Sequence, residues 1–174
     1  MAELPLEMRH LPDTPQQRRA VESVIMAATD YHLLVEGAPP SADHTAEFFT
    51  SLPPGYSLHD LFPLGFYAKE ELVGIAGVLR GWNAANKAII GLLVFTPLHR
   101  GKGYGRAALT QIEALARTWP GIDRLRIAVV ASNLDAFRFW HKMGFAETGE
   151  IKPRFANYVA DVVLLEKSID CFNA

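Results

Sequence analysis

Cysteine is almost absent. The chain has one, Cys171, so no disulfide framework can form within it. Long apolar runs are missing too. The longest, Ala88 to Phe95, is interrupted by Gly91; it suits a buried strand and is far too short to span a bilayer. The first twenty residues carry Pro5, Pro12, Pro15 and several charges, with no apolar stretch of the secretory kind. A cytoplasmic protein with no membrane partner is therefore expected. The six histidines lack metal-ligand spacing, so no metal is expected. Nucleic acid is not an expected partner either, because the net charge is −2 and no stripe interleaves aromatic with basic residues.

What is present describes one α/β domain. A chain of 174 residues that is 49% hydrophobic buries one good core and has no room for two, so residues 1–174 are read as a single unit. Charge is unevenly spread. Residues 1–80 hold eleven acids against five Lys/Arg, and residues 81–174 hold eight against twelve. Either this is ordinary solvated surface, or the C-terminal half receives an anion while the N-terminal half faces a cation.

The order of elements follows from periodicity and capping. Leu6 to Leu11 reads as a short strand. Thr14 then caps a helix with Pro15 at its first position, Gln17 completing a capping box, and Val21, Val24, Ile25 and Ala28 along its buried stripe. Tyr31 to Pro40 reads as irregular, and a second helix runs from about Ser41 through Phe48 and Phe49 to before Pro53. Strands are expected at about Leu64–Lys69 and Leu72–Arg80, with Glu70-Glu71 at their turn. Lys87 to Thr96, the most apolar strand, belongs at the centre of the sheet. A helix from about Gly105 to Thr118 follows, then a strand at Leu125–Val130. Ser132 or Asn133 caps a further helix to about Met143. Two strands close the chain, about Phe145–Ile151 and Tyr158–Lys167. Strand, helix and strand over residues 87–130 make a parallel right-handed crossover in a mixed sheet.

The most informative segment joins the apolar strand to the helix after it: Arg100-Gly101-Lys102-Gly103-Tyr104-Gly105-Arg106. Three glycines in five residues permit a tight turn and remove the Cβ atoms that would hold a ligand off. Free N–H groups at a helix N-terminus make a cradle for phosphate or pyrophosphate, and Arg100, Lys102 and Arg106 supply matching positive charge. The P-loop pattern is absent. Gly103-x-Gly105-x-x-Ala108 matches the dinucleotide fingerprint in form, but no acid ends the next strand near Val130 to hold a ribose.

Arg100-x-x-Gly103-x-Gly105, with Pro97 three residues before the arginine, resembles the acyl-CoA signature of the GNAT N-acetyltransferases. Asn133-x-x-Ala136-x-x-Phe139-Trp140-His141-Lys142-Met143-Gly144-Phe145 resembles the second signature of that family. The resemblance covers roughly residues 64–167, the acyl-CoA core, and reaches the acceptor-side residues 1–63 only through the order of their elements. It implies the GNAT fold: a mixed sheet of about seven strands flanked by about four helices, with acetyl-CoA as cosubstrate and no metal. It implies that the backbone of Leu93, Val94 and Phe95 holds the pantetheine arm in a gap between central strands, where Gly91 and a bulge allow the separation. The N–H of Phe95 would polarise the thioester carbonyl, an effect worth about 3–4 kcal/mol for such a donor. Gly101, Lys102, Gly103, Tyr104, Gly105 and Arg106, with Arg100, would bind the diphosphate, and Asn133 and Trp140 would lie along the cofactor.

Two departures from the family pattern bear on mechanism. Trp140 stands where many relatives carry a tyrosine that protonates the leaving thiolate, and an indole N–H cannot usefully give up its proton. The strand Lys87 to Thr96 contains no acid where many relatives place a glutamate. Candidates for the missing base are His59, Asp60, Glu36 and Tyr158. The resemblance implies transfer of an acetyl group to a primary amine by direct attack in a ternary complex, and the acid surplus of residues 1–80 points to a small cationic acceptor. Two alternatives stay open: an acyl-CoA-binding or sensor module without turnover, and an acetyltransferase of protein N-termini or lysines. A homodimer through the tail strands would be in keeping with the family.

Overall fold

The computed structural model describes residues 5–169, so Cys171 lies outside the described residues. Seven strands form one sheet: β1 (Leu6–His10), β2 (Leu61–Ala68), β3 (Glu71–Arg80), β4 (Lys87–Phe95), β5 (Arg124–Val130), β6 (Ala146–Lys152) and β7 (Val162–Ser168). Their order is β1-β2-β3-β4-β5-β7-β6, which puts the most apolar strand, β4, at the centre. Only β4 and β5 run parallel, joined by the expected helical crossover; the other neighbours are antiparallel.

Five helices flank the sheet among the described residues: α1 (Pro15–Ala27), α2 (Thr29–Glu36), α3 (Ala42–Thr50), α4 (Tyr104–Arg117) and α5 (Leu134–Lys142). The additional helix is α2, which occupies much of the segment expected to be irregular. It follows α1 after Ala28 without a side-chain cap, so no N-terminal signal announces it, and Gly37 at φ 71° ends it. At the start of α1, Thr14 caps the N–H of Gln17 at 3.2 Å. The other half of the expected capping box is missing, because the Thr14 N–H is donated to the Pro12 carbonyl instead. The β2–β3 turn falls one residue earlier than expected: Ala68 pairs with Glu71, leaving Lys69-Glu70 in the loop with Lys69 at φ 57°. The last strand starts later than expected, at Val162, because residues 153–161 form a loop, from which Tyr158 packs against the cluster of Val130, Val162 and Leu164.

Side chains alternate across the strands and fill two layers. Phe66, Ala76 and Phe95 face α4, packing with Ala108, Leu109, Ile112 and Ala116. Their neighbours Tyr67, Ile75 and Val94 face α1 and α3, packing with Val21, Val24, Ile25, Phe48 and Phe49. Burying each large side chain contributes about 1.5–3 kcal/mol, and the two layers pack the central strands from both faces on either side of an opening.

That opening lies between β4 and β5. The parallel ladder runs from Lys87 opposite Arg124 to Ile90 opposite Ile127 and goes no further, although both strands continue. On the other edge of β4, Val78 faces Ile90 and Gly77 faces Leu92, so Gly91 is the extra residue of a β-bulge. The bulge bends β4 away from β5 at the point where pairing stops.

Candidate active site

The backbone orientation in the gap follows from one hydrogen bond. The N–H of Thr96 donates to the Val73 carbonyl on β3 at 3.0 Å. Backbone groups alternate sides along a strand, so the N–H groups of Phe95 and Leu93 face the gap and that of Val94 faces β3. The Phe95 carbonyl, on the gap side, accepts from Arg100 Nε at 3.0 Å. Of the three residues expected to meet the pantetheine arm, Leu93 therefore turns its backbone edge to the gap and Phe95 its N–H, the Phe95 carbonyl being taken by Arg100.

At the end of β4 the chain makes a single 3₁₀ turn (Pro97–His99) and enters the glycine loop. Gly101 and Gly103 adopt φ 72° and 83°, the left-handed region that side chains avoid. The first backbone hydrogen bond of α4 is donated by Ala107 to the Gly103 carbonyl at 3.1 Å. Among the described residues, the N–H groups of 101 to 106 therefore have no backbone acceptor and lie at the helix N-terminus, where an anion is favoured. A side chain at position 103 would be held in a strained conformation. The residues present thus fit a diphosphate. Gly105 also serves helix packing. A Cβ there would lie 3.0 Å from the Phe139 ring, so this glycine lets α4 and α5 approach.

The side chains of the loop divide. Lys102 and Arg106 are exposed beside the cradle. Arg100, expected to face the anion, is instead tied to both Asp30 carboxylate oxygens and to the Phe95 carbonyl. It fastens α2 to the end of β4 and holds the Asp30 carboxyl below the usual range. Tyr104, also expected at the cofactor, has its side chain buried between Phe95 and His99, so only its backbone reaches the cradle. Asn133 caps α5, its Oδ1 accepting from the Ala136 N–H at 3.2 Å.

Trp140 is 8% exposed and packs edge-on against Phe139 and Phe145, with centroids 4.9 and 5.0 Å away. A ring held this way works by packing. Trp140→Phe is therefore expected to cost about 1–3 kcal/mol of stability and to leave turnover nearly unchanged. Thermal unfolding and CoA release measure the two effects; a hundredfold loss of turnover in the folded variant would instead give the indole a chemical role.

On the α1/α3 side of the sheet, next to Gly91 and Leu92 of β4, lies a cavity of about 440 Å³. Its walls are mostly apolar and aromatic, with Tyr31, Phe48, Trp82, Phe155 and Tyr158, and its polar groups are His32, Glu36, His44 and Glu47. Two of the four candidate bases, Glu36 and Tyr158, line it. Burial pushes the Tyr158 hydroxyl upward, with the charges of Glu36 and Glu47 adding to the effect, so it stays protonated and offers a donor rather than a base. Tyr31 is raised further, by burial first. His59 and Asp60 do not line the cavity. The Asp60 carboxylate accepts from the Ser57 N–H at 3.2 Å and pairs with Arg80 at 3.5 Å, and its pKa is lowered by these partners.

The structure also brings together a group that the sequence hid. Nitrogens of His32 and His44 approach Glu36 Oε2 at 3.4 and 2.9 Å, from helices α2 and α3. The histidines are twelve residues apart, so no ligand-like spacing exposes them, although His32 and Glu36 sit one helical turn apart. The ligand atoms of all three residues lie within 4.8 Å of one another.

A mixed sheet that opens beside a glycine cradle, with a cavity on one face, is the frame of an acyl-transfer enzyme. The model of the acetyltransferase (GNAT) family matches residues 28–145, and the chain belongs to this family. The match begins at α2, earlier than the resemblance in sequence had placed the shared core, and ends at Phe145. Solved structures agree on the fold. An acetyltransferase from Thermus thermophilus superposes with a TM-score of 0.76 at 22% identity, over 97% of this chain and 99% of that one. A spermidine N-acetyltransferase from Vibrio cholerae, solved with CoA and spermine, gives 0.71 at 16% identity, over 94% and 95% of the two chains. The ribosomal-protein-S18-alanine N-acetyltransferase from Escherichia coli gives 0.65 at 16% identity, over 95% of each. No curated protein matches the sequence.

Proposed function

We propose that the chain transfers an acetyl group from acetyl-CoA to a primary amine that carries positive charge on a compact, largely apolar body. The observation that carries this reading is the placement of the gap. Beyond Ile90 the edge of β4 is unpaired, with the glycine cradle at its end and the cavity containing Glu36 and Glu47 beside Gly91 and Leu92. Acetyl-CoA supplies the activated acyl group. The chain's contribution is to hold it: N–H groups of 101 to 106 at the diphosphate, backbone of Leu93 at the pantetheine arm, and the Phe95 N–H at the thioester carbonyl. An amine seated in the cavity meets that carbonyl through the gap, so rate comes from juxtaposition and from a donor fixed before charge develops. Small cationic amines suit the two carboxylates, and an apolar body suits the aromatic wall.

The test is CoA release with a panel of arylalkylamines, polyamines, aminoglycosides and peptides. Turnover is expected with small amines, with peptides poor. For the best acceptor, KM should rise roughly threefold from low to moderate ionic strength as salt screens Glu36 and Glu47. Acetyl-CoA binding without turnover on any amine would make the chain a binding module, and a salt-indifferent KM would remove the charge argument.

A further inference from the structure

We propose that His32 is the general base of the transfer, with Glu36 and His44 as positioning residues that fix its tautomer. The inference rests on the acetyltransferase reading above and fills its gap, since β4 carries no acid.

The chain of hydrogen bonds leaves one arrangement of protons. The Ser41 backbone N–H, which can only donate, approaches His44 Nδ1 at 3.0 Å, so Nδ1 is the acceptor and closes the N-terminus of α3. His44 Nε2 must then carry the hydrogen, and it donates to Glu36 Oε2 at 2.9 Å. The same oxygen faces His32 Nδ1 at 3.4 Å. A carboxylate only accepts, so His32 carries its hydrogen on Nδ1 and keeps the lone pair on Nε2. Among the described residues nothing hydrogen-bonds to that nitrogen, and His32 lines the cavity. A carboxylate that orients a histidine whose far nitrogen takes a proton is the logic of a hydrolase triad on another fold.

The surroundings favour the neutral ring. His32 is 5% exposed. Burial lowers its pKa from 6.5, Glu36 opposes that shift, and His44 adds to it. The groups around it are Tyr31 and Glu36 on α2, His44 and Glu47 on α3, and Tyr158 from the β6–β7 loop. Both phenols stay protonated. A histidine neutral near pH 7 can accept a proton from an ammonium drawn in by Glu36 and Glu47. Glu36 receives two N–H donors on one oxygen, so that oxygen is engaged in orienting the two rings. A divalent cation on the three residues would need the lone pair of His44 Nε2 and would move its hydrogen to Nδ1, against the Ser41 N–H. The cluster therefore serves proton transfer rather than metal binding.

The ammonium gives one proton to His32 Nε2, and the freed lone pair attacks the thioester carbon. The C–N bond forms, the C–S bond breaks, and sulfur leaves as thiolate. The second proton of the amine nitrogen goes to the thiolate, and the imidazolium returns its proton to solvent.

The experiment follows CoA release from acetyl-CoA with 2-phenylethylamine as probe, from pH 5 to 9, for the wild type, His32→Gln and Glu36→Gln. The wild type should show an acid limb in kcat/KM with its midpoint below about 6.5, the ordinary histidine value. His32→Gln should lower kcat roughly 100-fold or more and abolish that limb, keep acetyl-CoA affinity, and regain part of its turnover with free imidazole. Glu36→Gln should move the limb to lower pH, because the imidazolium loses its partner; this variant decides the matter if His32→Gln does not fold. Wild-type turnover with His32→Gln within threefold and its limb intact overturns this proposal alone. A wild type that turns over no amine overturns the acetyltransferase reading and this proposal with it. Activity lost to EDTA and restored by zinc assigns the cluster to a metal and overturns the base.

Discussion

Gly103→Val is expected to lower acetyl-CoA affinity at least ~100-fold while the protein stays folded. Gly103 caps α4 at φ 83°, where a β-branched residue is disfavoured by roughly 1–2 kcal/mol. That cost falls on the turn that carries the N–H groups of 101 to 106, none of which has a backbone acceptor. Relief of that strain would rotate those groups out of the arrangement a diphosphate needs. The rest of the chain has little reason to respond, because most α4 members of the large buried cluster, Ala108 to Ala116, lie beyond the turn and only Tyr104 adjoins it. Gly103→Asn separates the two effects, since asparagine tolerates the left-handed region; it should bind acetyl-CoA better than Gly103→Val and worse than the wild type. Calorimetric titration with acetyl-CoA measures all three. Unchanged affinity in folded Gly103→Val would remove the loop from the cofactor site.

Much of the acyl-CoA core was legible in the sequence because its signals are local. The helix stripe of Ala108, Leu109, Ile112 and Ala116 is buried as its periodicity requires, and Thr14 and Asn133 cap the helices they precede. The fate of Arg100 was not local. Its partner Asp30 is seventy positions away and pairs with it only after α2 folds against the end of β4. The acceptor side was hidden for a related reason. Without a side-chain cap at Ala28, and with Gly37, Pro39 and Pro40 just beyond, the segment of α2 reads as loop. A reading without that helix leaves His32 and Glu36 merely four positions apart, whereas one turn of helix sets them side by side with His44 arriving from α3. Both clues were present in the sequence: the acid surplus of residues 1–80, and Glu36 itself among the candidate bases. The structure turns Glu36 from a lone candidate into the centre of a cluster, and separates it from Asp60, whose charge is committed to Arg80 and the Ser57 N–H.

The position of the Phe95 N–H depends on a glycine that lies outside both sequence signatures. Gly74 on β3 stands directly opposite Phe95. A Cβ built on Gly74 would come within 2.9 Å of the ring's Cγ, and closer still to Cδ1 and Cε1. The Phe95 ring therefore lies over the bare backbone of Gly74, with Phe66 and Tyr104 on its other sides at centroid distances of 5.7 and 6.1 Å. A methyl group there leaves the ring no free direction, so the strain passes into the backbone of β4 at the residue whose N–H faces the gap. Overpacking of this kind costs about 1–3 kcal/mol, and a displacement near 1 Å at a reacting centre costs on the order of 100-fold in rate. Gly74→Ala is thus expected to lower the melting temperature and to reduce kcat by roughly 10- to 100-fold, with acetyl-CoA affinity much less affected because the cradle lies beyond Pro97. Gly77→Ala is the control three residues along the same strand, where a Cβ would meet its nearest neighbour, Phe48, at an ordinary 3.9 Å. It should melt close to the wild type. Thermal unfolding and steady-state CoA release on both variants decide the question. If Gly74→Ala lost stability but kept its kcat, the Phe95 backbone would not be a catalytic donor, because a group that tolerates displacement cannot be stabilising the transition state from a fixed position.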